Sequence, residues 1–160
     1  MSIQTYWNNG VLHEIVDGVL RRQIPKGNGV ARYWHANGVL AKEMSMVNGV
    51  ADGTVCEWHD NGQLAREKTY KRGEVDGIVR QWNSEGKLLG EYEMKMGRGV
   101  ERNWNEDGTL KNEMEILTKN AIRGRVWDDL GKIREIFLWN GKPISQKKFG
   151  ERLAKAQADI

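Results

Sequence analysis

The sequence predicts an all-β fold: an elongated antiparallel β-hairpin repeat array, arranged as a single-layer meander, with a short C-terminal helix. In five successive segments a tryptophan stands four residues before a glycine, and Leu or Ile follows that glycine by two positions. The glycines recur every 22 to 24 residues, at Gly38, Gly62, Gly86, Gly108 and Gly131. A period of this length is typical of repeat proteins, in which each unit packs only on its neighbours.

The segment from Gly53 to Gly77 shows one unit, with the pattern G-x4-W-x3-G-x-L-x2-E-x2-Y-x2-G. Residues 60–62 fit a three-residue hairpin loop that ends in a left-handed residue, a conformation open to Gly62 because it has no Cβ. This loop places Trp58 opposite Leu64. A two-residue Asn-Gly turn would pair Trp58 with the next residue instead, so the recurring leucine favours the longer loop.

Side-chain alternation along the strands then predicts two different faces. One face carries Trp58 and Leu64, together with three arginines that each stand two residues before a tryptophan: Arg32, Arg80 and Arg102. The other face carries the recurring glutamates Glu43, Glu67, Glu91 and Glu113. A second set of glycines between the copies predicts the turns that lead into the next hairpin.

The chain divides into three parts, of which residues 1–28 form an irregular N-terminal capping repeat. Tyr6 takes the tryptophan position there, and Asp17 with the following glycine predicts an inserted turn. Pro25 is expected to interrupt strand pairing or to lie at an edge, because proline lacks an N–H group. Residues 29–142 contain the regular hairpin repeats.

Residues 143–160 form the third part, a C-terminal helix and tail. Ser145 is a suitable N-cap for a helix over 145–158, and three apolar residues follow on one helical face: Phe149, Leu153 and Ala156. The preceding segment, Ile136 to Trp139, is apolar on both sides of the predicted strand. We therefore expect the helix to cover this last hairpin.

Composition restricts the classes of function. The chain has 160 residues, with 25 basic and 22 acidic side chains interleaved and a net charge of +3. This mixture makes nucleic acid an improbable partner, since basic residues should then gather on one face. Cys56 is the one cysteine, which leaves no internal disulfide. The first residues do not resemble a secretory signal and no run has membrane-spanning length, so we expect a cytoplasmic protein and no membrane partner.

No combination of residues predicts catalysis, a cofactor or a metal site. His35 and His59 occupy equivalent positions two strands apart, roughly 9.5 Å, which is too far for two ligands of one zinc ion. The recurring glutamates share one repeated environment, whereas a catalytic carboxylate needs a distinctive one. The sequence contains no G-x-S-x-G motif and no phosphate-binding glycine loop. We expect a non-enzymatic protein.

The repeated pattern of the Gly53–Gly77 unit resembles the variant MORN repeat, over about residues 6–142. Bacterial proteins with such repeats are assigned to a YwqK-type antitoxin family. The resemblance implies a MORN-like hairpin array, and a protein-binding or assembly role. It also suggests an antitoxin or immunity protein that binds and occludes a toxin.

We therefore predict that the ligand is another protein, which could be a cognate toxin. The predicted partner-binding residues are aromatic and arginine side chains of the central copies, the residue types that dominate interface hot spots: Trp58, Arg80, Trp82, Arg102 and Trp104. Three alternatives stay open at this point. The tryptophans could form only a structural spine, the repeated aromatics could bind carbohydrate or cell envelope, or the array could be a scaffold.

Overall fold

The computed structural model describes residues 1–158, apart from the side chain of Gln157. These residues form an open, fifteen-stranded antiparallel sheet and one C-terminal helix, as predicted. The elements are β1 (Ile3–Asn8), β2 (Val11–Val16), β3 (Val19–Pro25), β4 (Gly29–Trp34), β5 (Leu40–Val47), β6 (Val50–Trp58), β7 (Leu64–Lys71), β8 (Glu74–Val75), β9 (Gly77–Trp82), β10 (Leu88–Lys95), β11 (Arg98–Trp104), β12 (Leu110–Ile116), β13 (Ala121–Trp127), β14 (Ile133–Trp139), β15 (Lys142–Pro143) and α1 (Gln146–Ala158).

The strands follow one another across the sheet in chain order, which makes the sheet a meander. The one departure is β8, which pairs with β7 while β7 also pairs with β9. No helix within residues 1–158 is both long and apolar enough to cross a membrane.

Five loops at one end of the strands have the predicted three-residue form. The His59 N–H donates to the Gln63 carbonyl over 2.9 Å, and Trp58 pairs with Leu64. Gly62 has a φ of 87°, the left-handed conformation for which glycine was expected. The same hydrogen bond closes the loops after β4, β9, β11 and β13.

Most turns at the opposite end of the strands are tighter two-residue turns. In these two-residue turns both central residues have positive φ, as at Asn48 (51°) and Gly49 (79°). This geometry matches the right-handed twist of paired strands. The first hairpin also uses such a turn, and Tyr6 pairs there with His13. The prediction that Tyr6 takes the tryptophan position of a three-residue loop is therefore wrong.

The N-terminal region otherwise contains the predicted extra turn, since Val16 pairs with Val19 around Asp17 and its glycine. Pro25 does not interrupt the sheet. It is the last residue of β3, it is buried, and it lies opposite Val11, a position where its missing N–H costs no interior ladder bond.

A β-bulge follows the tryptophan–leucine pair in the four most regular copies. Glu57 pairs with Arg66 and Trp58 with Leu64, which leaves Ala65 as the extra residue. The bulge moves every later residue of the second strand to the opposite face. As a result Glu67 lies opposite Cys56, on the same face as the arginines. The prediction that glutamates and arginines occupy different faces is therefore wrong.

The copy at Trp127 confirms this explanation, because it has no bulge. Trp127 pairs with Ile133 and Arg125 with Glu135 in unbroken register. Its glutamate follows the aliphatic residue by two positions, whereas Glu67 follows Leu64 by three. The shorter spacing compensates for the missing bulge residue and again brings glutamate opposite arginine.

The main apolar cluster lies on the face opposite the charged pairs. Val79, Tyr92 and Met94 are buried, and partly buried residues pack against them, among them Trp104 and Ile116. Val79 and Arg80 are neighbours in β9 and therefore point to opposite sides of the sheet. We call the side of Val79 the apolar face.

The helix covers the last hairpin as predicted. Phe149 is buried, with its ring 5.4 Å from that of Phe137 and 6.5 Å from that of Trp139. The Ser145 Oγ accepts a hydrogen bond from the Lys148 N–H over 3.4 Å, so Ser145 is the N-cap of α1.

Candidate functional site

One row of mostly charged side chains crosses ten strands on the face opposite the apolar cluster. Each member lies opposite the next one on the neighbouring strand, either as a direct pair or where the register of the two strands is extended. The charges along the row are mostly alternately positive and negative. We call this row the ladder; its members are Arg32, Glu43, Cys56, Glu67, Arg80, Glu91, Arg102, Glu113, Arg125 and Glu135.

Arginine side chains connect the rungs of the ladder. Arg80 donates to Glu67 over 3.2 Å and to Glu91 over 3.0 Å, so it joins three strands. Arg102 donates to Glu113 over 2.8 Å. The Arg80 side chain keeps 38% of its exposure and that of Arg102 keeps 37%. Pairs this exposed are worth about 0.2–1 kcal/mol each, and their outer surfaces stay accessible to a partner.

Glu113 is the most enclosed carboxylate among these pairs. Its side chain is 19% exposed, and it accepts hydrogen bonds from Arg125 over 2.6 Å and from Arg102 over 2.8 Å. The hydrogen bond from Arg125, and then the one from Arg102, hold the pKa of Glu113 below its usual range against the opposing effect of burial. This rung is therefore charged at neutral pH.

Cys56 stands where the neighbouring copies place Arg32 and Arg80. It lies between Glu43 and Glu67. Burial, followed by the charges of Glu67 and Glu43, raises the pKa of the Cys56 thiol. Because the thiolate is the reactive form of cysteine, this environment disfavours a nucleophilic role. Cys56 is a neutral gap between two carboxylates.

The five residues predicted to bind a partner do not form one surface. Arg80 and Arg102 lie on the ladder, but Trp104 packs on the apolar face, with its ring 6.3 Å from that of Tyr92. A Cβ at Gly90 would overlap the Trp104 indole. Trp104 is the last residue of β11, where the alternation of the strand ends and the ring can turn to the other side.

Trp58 and Trp82 hold equivalent positions and are half-buried. Their carbonyl groups accept hydrogen bonds from the imidazole Nε2 of the preceding copy: His35 donates to Trp58 over 2.8 Å, and His59 donates to Trp82 over 3.1 Å. The two histidines therefore connect successive hairpins. Among residues 1–158, no group of His, Cys, Asp or Glu could hold a metal ion.

The loops are linked in the same way. Asn37 Nδ2 donates to the Asp60 carbonyl, and Asn61 Nδ2 donates to the Ser84 carbonyl, both over 2.8 Å. Sequence reasoning missed these links between copies. Their signal was present, since asparagine recurs before the loop glycine at Asn37 and Asn61 and histidine recurs after the tryptophan.

A cavity of about 360 Å³ lies beside the ladder, near the first residue of α1. Charged residues line most of it, including Glu113, Arg123 and Arg125, and Phe137 supplies an apolar wall. Arg123 donates to Glu115 over 2.6 Å. The accessible charged surface of the ladder therefore continues through this cavity toward the helix.

The apolar face has its own cleft, of about 270 Å³, which sequence reasoning also missed. Lys68, Tyr92 and Glu101 line it. Burial, and then the charge of Arg66, lower the pKa of Lys68, while burial raises the pKa of Tyr92. In most other copies an apolar residue occupies the position equivalent to Lys68. The repeat pattern therefore did not predict a charged side chain there.

Comparisons with known proteins support the repeat type. Residues 28–48 and 51–72 match a family model described as MORN repeat variant. These segments cover the hairpin β4–β5 and, except for Val50, the hairpin β6–β7. No curated protein matches the chain. One solved chain, from a structure titled "Crystal structure of GtfA/B complex bound to UDP and GlcNAc", matches at 12% identity and a TM-score of 0.25, over 99% of this chain and 27% of that one.

Proposed function

We propose that the protein is a non-enzymatic repeat module that binds another protein through the face that carries the ladder. The observation that carries this proposal is the ladder itself: an ordered, partly exposed row of arginine and glutamate across ten strands. The two segments that match the MORN repeat variant agree with a module built from repeats.

The order of charges favours a protein over a polyelectrolyte. Sign changes occur at nearly every rung, about every 4.8 Å. A nucleic acid presents a single sign along its backbone and needs a basic surface of matching extent. A protein surface with its own mixed charges can pair with both signs, and such complementarity fixes register and suppresses wrong partners.

Arg80 and Arg102 are the arginines that we propose as the main contacts. Both lie in the middle of the array, both are partly exposed, and their planar guanidinium groups are held in place by Glu67, Glu91 and Glu113. A side chain that is ordered before binding loses less entropy on binding. Of the predicted tryptophans, we assign Trp104 a supporting role, and we give the same role to Trp58 and Trp82 by equivalence.

The finer proposal is that the partner is a toxin and that binding occludes it. The resemblance of the repeats to those of YwqK-type antitoxin proteins supports this choice of partner. A broad sheet is also suited to covering a partner's site, because repeat arrays present long surfaces.

The proposal is tested by capturing partners from a lysate of the native host. Tagged wild type is compared with the double variant Arg80→Ala and Arg102→Ala, and a control carries Arg134→Ala and Lys87→Ala, two exposed cations that lie off the ladder. All three should unfold within about 1 kcal/mol of one another. We expect wild type and control to capture the same protein, and the ladder variant to lose it.

Equal capture by the ladder variant would overturn the assignment to this face. Retention of wild type on polysaccharide, with no captured protein, would favour carbohydrate binding instead. For the toxin, co-expression with a neighbouring reading frame that arrests growth should restore growth with wild type and fail with the ladder variant. Continued arrest with wild type would contradict the antitoxin role alone.

A further inference from the structure

Strand β1 differs from every long strand of the regular array. All six of its residues are exposed, and within residues 1–158 it pairs on one side only, with β2. Its sequence, Ile-Gln-Thr-Tyr-Trp-Asn, carries no charge and no proline. Natural sheets protect such edges with charges, proline or very short strands. β1 has none of these protections.

The opposite edge strand of the sheet, β15, is protected from pairing with a further strand. There β15 has two residues, Lys142 and Pro143, which add a charge and remove a backbone donor. The helix α1 packs on the neighbouring strand through Phe149. The contrast between the two edges indicates that the β1 edge is open to a further strand.

The hydrogen bonding shows which residues of β1 face that open edge. The Ser2 carbonyl accepts a hydrogen bond from the Asp17 N–H over 2.9 Å, so the backbone of Ser2 points toward β2. Backbone groups alternate in direction along an antiparallel strand. The N–H and C=O groups of Ile3, Thr5 and Trp7 therefore point outward.

We infer that β1 binds the β1 strand of a second copy of this chain, antiparallel and centred on Thr5. In this register Thr5 lies opposite Thr5 of the second copy, and Ile3 lies opposite its Trp7. All three outward-facing residues are then paired, which gives about six backbone hydrogen bonds. Registers displaced by two residues would leave part of the edge unpaired.

The side chains fit the same arrangement. Ile3 and Trp7 are 60% and 59% exposed, and both lie on one face of β1. The pairing brings each Ile3 against a Trp7, an aromatic and β-branched pair of the kind that stabilises sheets. On the other face Gln4 meets Tyr6 of the second copy, and Tyr6 is already stacked on His13 at 4.9 Å.

The strand sequence favours a second copy over an unrelated strand. In this register β1 complements itself, and it carries no charge that would repel its equivalent in the second copy. The contact is confined to one strand and so is smaller than a standard stable interface. We expect a reversible dimer with a dissociation constant on the order of 10–100 µM, between the millimolar and nanomolar classes of affinity.

A charge-swap experiment tests the inference by sedimentation velocity over a range of concentrations that spans this value. Thr5→Lys and Thr5→Glu each place like charges directly opposite one another, so each variant alone should be monomeric. An equimolar mixture of the two should form a dimer again. Gln4→Lys is the matched control, since its new charge would face Tyr6 of the second copy, and it should dimerise like wild type.

Circular dichroism melts should show the same fold in all variants. The inference is overturned if wild type is monomeric throughout the range, if Thr5→Lys dimerises like wild type, or if the mixture stays monomeric. Equal loss of dimer in Gln4→Lys would also contradict the register centred on Thr5.

Discussion

At the scale of single residues, the ladder shows how a repeated position acquires a collective role. An arginine between two glutamates satisfies both, as Arg80 does with Glu67 and Glu91. Each pair contributes little alone because it is partly exposed. Across ten strands, however, arginine or glutamate at nearly every rung forms a row of charged side chains along one face. Cys56 is the one rung without a charged side chain.

Replacing Cys56 with arginine should complete the ladder. The new guanidinium would lie between Glu43 and Glu67, in the position that Arg80 occupies one copy later. We expect a gain of about 0.5–1 kcal/mol in the free energy of unfolding, from two partly exposed pairs. Urea denaturation at low ionic strength measures the change, which should shrink at 1 M salt because added ions screen exposed charges.

Cys56→Leu serves as the control for this change, since it fills the position without charge. If leucine stabilises the protein as much as arginine does, apolar contact rather than pairing explains the gain. A gain that is unaffected by salt would point to the same conclusion.

Glu113 gives a prediction about pH. Its pKa is depressed in the folded protein, so the unfolded chain binds more protons once the pH falls below the ordinary range of glutamate. The contribution of Glu113 to stability is therefore full at neutral pH and is lost as the pH falls through its folded value. Glu113→Gln should destabilise the protein at pH 7 and flatten its loss of stability in acid.

Thermal melts between neutral pH and pH 3 measure this effect. Glu91→Gln is the matched control, because Glu91 is 54% exposed and, within residues 1–158, pairs with Arg80 alone. Its curve should stay nearly parallel to that of wild type. Identical acid slopes for Glu113→Gln and wild type would show that Glu113 does not govern the transition.

At the scale of elements, the three-residue loop and the bulge together set the register of each hairpin. The loop places Trp58 opposite Leu64, and the bulge at Ala65 then shifts the rest of β7 by one residue. The two devices act in sequence, so a failure of the loop would misplace the glutamates as well. The loop glycine is therefore the position at which a hairpin is most easily damaged.

Gly62→Val should destabilise its hairpin by about 1–2 kcal/mol, because a β-branched residue is strained in the left-handed conformation. Steric contact adds little, since a Cβ at Gly62 would meet only Val39, at 3.9 Å. Gln63→Val, one residue later, should be nearly neutral. Comparable losses of stability for the two variants in denaturant titrations would contradict this account of the loop.

At the scale of the whole molecule, the sequence predicted the array and the helix but misassigned the faces. The loop is a local signal that occurs five times, and the five loop glycines define four intervals of similar length. The face of Glu67 depends instead on one extra residue in the strand, which side-chain alternation does not reveal. The spacing of Glu135 from Ile133 carried the missing information, because it is one residue shorter than in the other copies.

The candidate site was predicted only in part for the same reason. Arg80 and Arg102 lie together on one face, but Trp104 turns away at the end of its strand. The links between copies, such as His35 with Trp58, depend on which strands become neighbours. Such contacts follow from the stacking of hairpins, and a single copy of the pattern cannot show them.

The helix sets the boundary of the array at its C-terminal end. Phe149 is buried against Phe137 and Trp139, so removing its ring should release α1 and expose these two aromatic side chains of β14. We expect Phe149→Ala to lower the free energy of unfolding by about 3–4 kcal/mol. We also expect it to promote association through the exposed surface.

This prediction is best measured in a Thr5→Lys background, which separates it from pairing through β1. Light scattering should then show larger species for Phe149→Ala, while Lys147→Ala, an exposed residue of the same helix, should behave like its parent. A monomeric and equally stable Phe149→Ala variant would mean that the hairpin array ends without help from α1. In that case the short β15 strand, with Pro143, would be sufficient to close the sheet.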